Sequence, residues 1–479
     1  MIKRDYDAVI VGSGPNGFAA AITLQQQGLA TLLLEAKPTV GGGMRSAEFT
    51  LPGFVHDVCS AIQPMTVNSP FLSQLPLHQF GLKLIEPTYA AAHPFDNGNA
   101  VVLHQSIQKT MEGLGADGSA YKKLMLPLYQ NRDKIFPFVL GPFKIPKHPF
   151  VMAGFSFKAL QPATLLSKTF KTEEGKGLFA GMAAHSMLPF SKIATSAIAL
   201  VLMLAAHNKG WPLIQGGSQQ LANALAAYYI SLGGKIETDF NVTSLQQLPS
   251  CHAVLFDVSP KQLLQIAGHK FSALYKKQLN NYRYGMGVYK IDFALSEPIP
   301  FTATECRKAG TVHIGNTIEE ITLSEQLAWN GKHADKPFVL LAQQSVFDTS
   351  RAPAGKHTAW AYCHVPNGSA TNMTDVIEQQ IERFAPGFKD CILAKHAMNA
   401  EDIQAYNANY IGGDINGGAP LLTQLFTRPA LRLSPYKTSA KGLYICSAST
   451  PPGGGVHGMC GYHAAKKTLK DVFDIKLSE

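Results

Sequence analysis

The sequence predicts an α/β fold organised around a Rossmann-type nucleotide-binding unit, and three observations predict it. An apolar strand pattern over residues 6–11 runs directly into Gly12-Ser13-Gly14-Pro15-Asn16-Gly17. A helical stretch over 18–27 follows that loop. A second apolar strand, 31–34, then ends at the acid Glu35, eighteen positions after Gly17.

Each element has a physical reason to stand where it does. Gly12 permits the tight turn, Gly14 lets the backbone approach a pyrophosphate, and Gly17 lets helix and strand pack closely. The helix that opens there presents free N–H groups and a partial positive charge, which suit phosphates. Ser13, Pro15 and Asn16 complete the loop, and Glu35, followed by Ala36, is placed to accept the hydroxyls of a ribose. Strand, glycines, helix, strand and acid in one βαβ unit specify a dinucleotide site far better than the glycines alone.

The chain has 479 residues, enough for two or three domains, with 46% hydrophobic and 16% charged residues and a mean hydropathy of +0.01. The longest apolar run, 193–206, falls short of the roughly 20 residues that cross a bilayer and reads as a buried helix. Seven scattered cysteines form no C-x-x-C pair, which fits a reducing compartment. The strand pattern begins almost at once, without the n-region and h-region of a secretory signal, so a cytoplasmic location, peripheral on a membrane at most, is expected. No nucleophile elbow, H-E-x-x-H, EF-hand loop or P-loop is present, so hydrolase and metalloenzyme readings fall away and no metal is expected.

Two further segments point from a dinucleotide in general to FAD. Residues 37–46, KPTVGGGMRS, place Gly42, Gly43, Met44 and Arg45 just after the acid, where glycines allow backbone contact with the cofactor. Near the other end, a strand pattern over 442–448 leads to PPGGGVHG at 451–458 and an amphipathic helix over 459–473. Gly453, Gly455 and Gly458 repeat the fingerprint spacing, but no second strand and acid follow, leaving a helix N-terminus suited to the pyrimidine edge of a flavin. A third match, Gly113, Gly115 and Gly118, follows no strand and reads as a helix cap and turn.

With VIVGSGPNG, LLLEA, GGGMRS leading to LPGFVHDVCSAIQP, the central LIQGGSQQLANALAAYYISLGGKIETDFNVTSL and the terminal GLYICSASTPPGGGVHGMCGYHAA in view, the chain resembles the FAD-dependent phytoene desaturase and carotenoid dehydrogenase/isomerase group of the amine-oxidase-like flavoproteins. The resemblance implies a Rossmann-type FAD-binding domain assembled from discontinuous segments (1–75, 211–275 and 436–479) with an α+β substrate domain (76–210 and 276–435) inserted between them. It also implies cofactor contacts at Ser60, at the backbone of Val242 on the adenine side, at Ser447 and Ala448 near the ribitol, and at Val456, His457 and Met459 near the isoalloxazine. This chain departs from the group at Ser447-Ala448, where phytoene desaturases usually carry Gly-Ala, and in the polar character of GGGVHGMCGYH.

A flavin supplies the redox chemistry, so no acid or base is mandatory. His457 at the start of the last helix, His185 in AAHSM and His56 beside Asp57 are the candidates for polar assistance. The expected activity is dehydrogenation of an apolar, isoprenoid- or lipid-like substrate, with quinone or oxygen as electron acceptor. A redox-neutral isomerase, an amine oxidase, which would call for an aromatic cage although Trp211, Trp329 and Trp360 show no clustering in sequence, and a non-catalytic flavin- or lipid-binding protein are the alternatives. Residues 132–171 hold seven Lys/Arg against one acid, with seven Phe and five Pro, a composition that suits the surface of an anionic membrane as well as it suits a solvated basic face over buried phenylalanines. No recognition motif accompanies the charge, so nucleic acid is not an expected partner.

Overall fold

The computed structural model describes residues 4–425 and 427–477; the outermost positions of the expected segments, 1–3 and 478–479, lie outside it. The strands that matter here are, in chain order, β1 (Ala8–Val11), β2 (Thr31–Leu34), β3 (Tyr89–Pro94), β4 (Ala100–Leu103), β5 (Lys235–Glu237), β6 (Ala253–Phe256), β7 (Gly287–Leu295), β8 (Ala309–Ile314), β9 (Val339–Ala342), β10 (His357–Val365), β11 (Ile392–Met398) and β12 (Leu443–Ile445). The helices are α1 (Pro15–Gln25), α2 (Pro149–Ala159), α3 (Glu173–Ala184), α4 (Thr195–Lys209), α5 (Gln219–Ser231), α6 (Ile318–Trp329), α7 (Thr374–Phe384) and α8 (Met459–Val472).

The first sheet is parallel throughout, in the order β12-β6-β1-β2-β5. Its strands come from the beginning, middle and end of the chain, so the Rossmann-type fold is discontinuous as the resemblance implied. β1 and β2 are buried along their whole length, the state expected of parallel strands covered on both faces. Ala8 and Ile10 face the core that contains α1, α5 and α8, while Val9 and Val11 face a second cluster with Leu32, Leu34 and Phe256. The apolar run at 193–206 is a helix, α4, packed against α2 and α3.

The second sheet belongs to the inserted domain and runs β11-β7-β10-β9-β8-β3-β4, antiparallel except for the β8–β3 pair. Alternation along its strands separates two very different faces. One carries Ile291, Phe293, Val312, Leu341, Ala361 and Cys363 and packs with Ile377 and Ile381 of α7. The other carries Lys290, Asp292, Thr311, His313, Trp360 and His364, all buried, and its Thr311 and Trp360 share a cavity with the glycine loop after β1. Polar groups on a solvated face cost nothing; here they are sealed in, and each requires a partner.

α8 crosses α1 at backbone distance. A Cβ on Gly461 would lie 1.8 Å from the carbonyl oxygen of Asn16, which neither helix can yield. Gly461→Ala is therefore expected to lower stability by about 2–3 kcal/mol in urea unfolding, the upper part of the range for overpacking; an unchanged midpoint would mean that the helices do not meet this closely.

Candidate functional site

The glycine loop, the segment after β2 and the polar face of the second sheet enclose one continuous cavity of about 510 Å³. At its nucleotide end it is lined by Gly12, Ser13, Gly14, Pro15 and Asn16, by Glu35 and Ala36, by Gly42, Gly43 and Arg45, and by Ser60 and Val242. Ser447, Ala448 and Val456 line it from the C-terminal segment. Local sequence explains the shape of the loop. Pro15 starts α1, no side chain caps the helix, and Gly12 holds φ at +101°, a conformation open to glycine.

Glu35 is more committed than the sequence implies. Its Oε2 accepts from Ser13 N–H at 3.1 Å and Ser13 Oγ–H at 2.5 Å, and its Oε1 from Lys37 N–H at 3.0 Å and Arg45 Nη2 at 2.8 Å. A ribose hydroxyl would share this carboxylate with the protein. The network ties the glycine loop to the GGGMRS segment, so Arg45 acts here as a brace.

Gly17 does what its place in the fingerprint requires. A Cβ there would lie 1.9 Å from the Gly12 carbonyl oxygen, and its N–H donates to Asp257 Oδ2 at 2.9 Å. Asp257, at the C-terminal end of β6, lines the cavity and was not singled out from the sequence. The available signal was an acid closing an apolar strand in AVLFD, the position where open α/β sheets hold ligands. Burial, reinforced by the Glu35 charge and opposed by the Gly17 bond, pushes its carboxyl up to about 7. Asp257 thus enters the neutral range protonated in good part, which removes a negative charge from beside a phosphate cradle.

The remaining predicted residues divide. His185 lines the far end of the cavity, where its Nε2 meets His313 Nε2 at 2.9 Å; burial, with the nearby His364, lowers it to about 3, so the ring is neutral. His56 is not at the cavity. Its Nε2 meets Thr50 Oγ1 at 2.8 Å, its Nδ1 stands 3.7 Å from Asp292, and burial lowers it to about 4. His457 also lies behind the wall. Burial lowers it to about 4, as a neutral ring requires, but Nδ1 accepts from Met459 N–H at 3.0 Å, turning the ring onto its own helix start. Met44 and Met459 are core residues, each at most 3% exposed, rather than cavity wall.

The far chamber is apolar and aromatic: Met65, Met187, Leu202, Trp211, Leu340, Trp360 and Tyr362 line it. Two of the three tryptophans named from the sequence meet there, while Trp329 packs elsewhere in the core. Among the described residues no group of His, Cys, Asp and Glu is arranged to hold a metal ion.

The Asp257 carboxyl has a measurable consequence. It keeps its proton up to about pH 7 in the fold but loses it near 4 when unfolded, so its contribution to stability is present below pH 4 and is lost as pH rises toward 7. Chemical denaturation of the cofactor-free protein across pH 4–8 should show Asp257→Asn removing a downward slope of at most about 1.4 kcal/mol per pH unit. Identical slopes for the two proteins would show that Asp257 ionises normally.

Comparison with known proteins agrees with this geometry. Residues 10–74 match the NAD(P)-binding Rossmann-like domain family. The chain is 25% identical to pyridine nucleotide-disulfide oxidoreductase domain-containing protein 2 of Mus musculus, over 98% of this chain and 94% of that protein. It is 23% identical to a lycopene-forming phytoene desaturase of Paracoccus sp., over 97% and 96% of the two chains. In fold it is similar to the crystal structure of an oxidoreductase from Methanosarcina mazei, with a TM-score of 0.66 at 14% identity over 97% of this chain and 100% of that one. These likenesses run over nearly the whole chain, and the chain is an oxidoreductase similar to the phytoene desaturases.

Proposed function

We propose that the protein holds FAD along this cavity and dehydrogenates an apolar, isoprenoid- or lipid-like molecule in the aromatic chamber. The observation that carries the reading is the continuity of the cavity, which joins a phosphate-binding loop at one end to a chamber without carboxylates at the other. Three features suit the cofactor. The uncapped start of α1 faces the cavity, Gly14 leaves no room for a side chain because its Cβ would lie 2.7 Å from Asp257 Oδ2, and a glycine pair follows the acid. Bound FAD would supply a hydride acceptor.

The chain's own groups do the rest. Trp211, Trp360, Tyr362 and Leu340 orient a flat or extended apolar substrate and exclude water from it. His185, neutral and partly accessible from the cavity, is the group placed to take the proton lost from the carbon next to the one that gives up hydride, as the double bond forms between them, with His313 fixing its ring. Quinone or oxygen would take the electrons onward. Among the described residues the chamber has no acid to attract an ammonium, which favours dehydrogenation of a neutral molecule over amine oxidation.

The supply route for such a substrate also has support. α2 exposes Phe150 (91%) and Phe157 (76%) along one side, and Ile145 just before it is 91% exposed, among the basic residues Lys144, Lys158 and Lys168. Its inner side, Met152, Phe155 and Ala159, is buried, and α2 packs on α4, whose Leu202 lines the chamber. A helix apolar on both sides, rimmed by cations, fits the headgroup region of an anionic membrane. No helix of the described residues is long and apolar enough to cross a membrane.

Two measurements test these readings. Anaerobic addition of a membrane lipid extract to the flavin-loaded protein should bleach the flavin absorption and yield a lipid two hydrogens lighter. A product of unchanged mass, formed only after prior reduction of the flavin, would instead establish isomerisation. In co-sedimentation with vesicles containing phosphatidylserine, the double variant Phe150→Glu, Phe157→Glu should bind at least about 10-fold more weakly than the parent, given the apolar area and repulsion involved. Equal binding would remove α2 from the membrane contact.

A further inference from the structure

The polar face of the second sheet leaves two hydrogen-bonding groups in the chamber wall without a protein partner. Its other charged or basic side chains pair with one another or with neighbours: Lys290 with Asp292, His364 with Glu325 at 2.8 Å, and His313 with His185. Thr311 Oγ1 and Trp360 Nε1 are the exceptions on the cavity wall. The two residues are 1% and 5% exposed, and both line the chamber.

Register explains why they belong together. Thr311 pairs with Ala342 and Ala342 with Trp360, so the three stand in one row across β8, β9 and β10 and project from the same face. The middle residue contributes only a methyl group. The outer two thus stand two strands apart in one row, with His313 one step along β8 bonded to His185.

We propose that the substrate of this chamber carries a neutral oxygen acceptor, a carbonyl or hydroxyl, on its apolar frame, and that Thr311 and Trp360 bind that oxygen. This deepens the proposed function and rests on it. The chemistry is selective. An indole N–H only donates, and a threonine hydroxyl donates or accepts, so the pair rewards an acceptor and offers little to an ammonium group. Among the described residues, no lysine or arginine lines the aromatic end of the cavity to neutralise a carboxylate. A pure hydrocarbon would strip both groups of any partner, the situation in which a buried donor most weakens binding. The substrate is then an oxygenated lipid or isoprenoid rather than a bare polyene.

The test compares farnesol with 2,6,10-trimethyldodeca-2,6,10-triene, which keeps the fifteen-carbon frame and the three double bonds and lacks the hydroxyl oxygen. Each is titrated into the purified flavin-loaded protein, and binding is read from tryptophan quenching and from the shift of the flavin spectrum. The parent protein should bind farnesol about 10-fold or more tightly than the triene, as two neutral hydrogen bonds allow. Thr311→Val and Trp360→Phe should each weaken farnesol by about 3–10-fold while leaving the triene unchanged or slightly improved. The hydrocarbon thereby controls for changes of shape or folding. Equal affinity of the parent for the two compounds overturns the inference, as does an equal loss of both in the variants or no binding of either to flavin-loaded protein. A protein that purifies without flavin and takes none up overturns the proposed function itself, a result separable from the others by the absorption spectrum alone.

Discussion

The rest of the molecule depends on how α1 is clasped at backbone distance. From one side the carboxylate of Asp257, at the end of β6, receives the Gly17 N–H. From the other, α8 lies so close that Gly461 has no space for a methyl group. The first glycine motif thus does more than admit phosphate: it lets the middle and the last segments of the chain close on the first. Loop, helix start and acid are positioned together by this clasp, and Glu35, bonded to Ser13, Lys37 and Arg45, carries the same rigidity to the glycine pair that follows. A cleft built this way is organised before any ligand arrives, which lowers the entropy lost on binding.

The inserted domain answers a different physical problem. Its sheet must bury both faces, and one does so in the ordinary manner, with aliphatic side chains against an amphipathic helix. The other buries histidines, an aspartate–lysine pair and a tryptophan N–H at the border of a chamber. Desolvation keeps the histidines His93, His185 and His313 uncharged, so the wall offers hydrogen bonds without net charge from this set. That combination suits chemistry on neutral molecules. It also explains why Gly177 and Gly181 occur on α3, where a Cβ at either position would press into His93 or His313 at under 3.0 Å.

Much of the nucleotide end was legible in the sequence because its information is local. The turn, the helix start and Glu35 lie within one βαβ unit, and 3.6- and 2-residue periodicities reveal it. What was not legible depends on long-range placement. His457 sits at a helix N-terminus, yet which way its ring turns is decided by its own Met459 N–H, and sequence spacing cannot show that. Thr311 and Trp360 are 49 positions apart and become neighbours in a row only through the strand between them. Asp257 looked like the end of an apolar strand and is instead the partner of Gly17. Sequence spacing identified the chemistry of the loop; pairing register was needed to identify the chemistry of the chamber.

The discontinuous parallel sheet has one more consequence, for the order in which the protein can be made. β1 and β12 are separated by more than four hundred residues, although only β6 stands between them in the sheet. During synthesis the glycine loop and the helix that presses on it emerge with the whole inserted domain between them. Until α8 has been made, the cleft is therefore an unfinished groove with exposed apolar strands, open to premature aggregation in the way that high-contact-order folds are. Closure of the cleft is thereby coupled to the docking of α8 on α1.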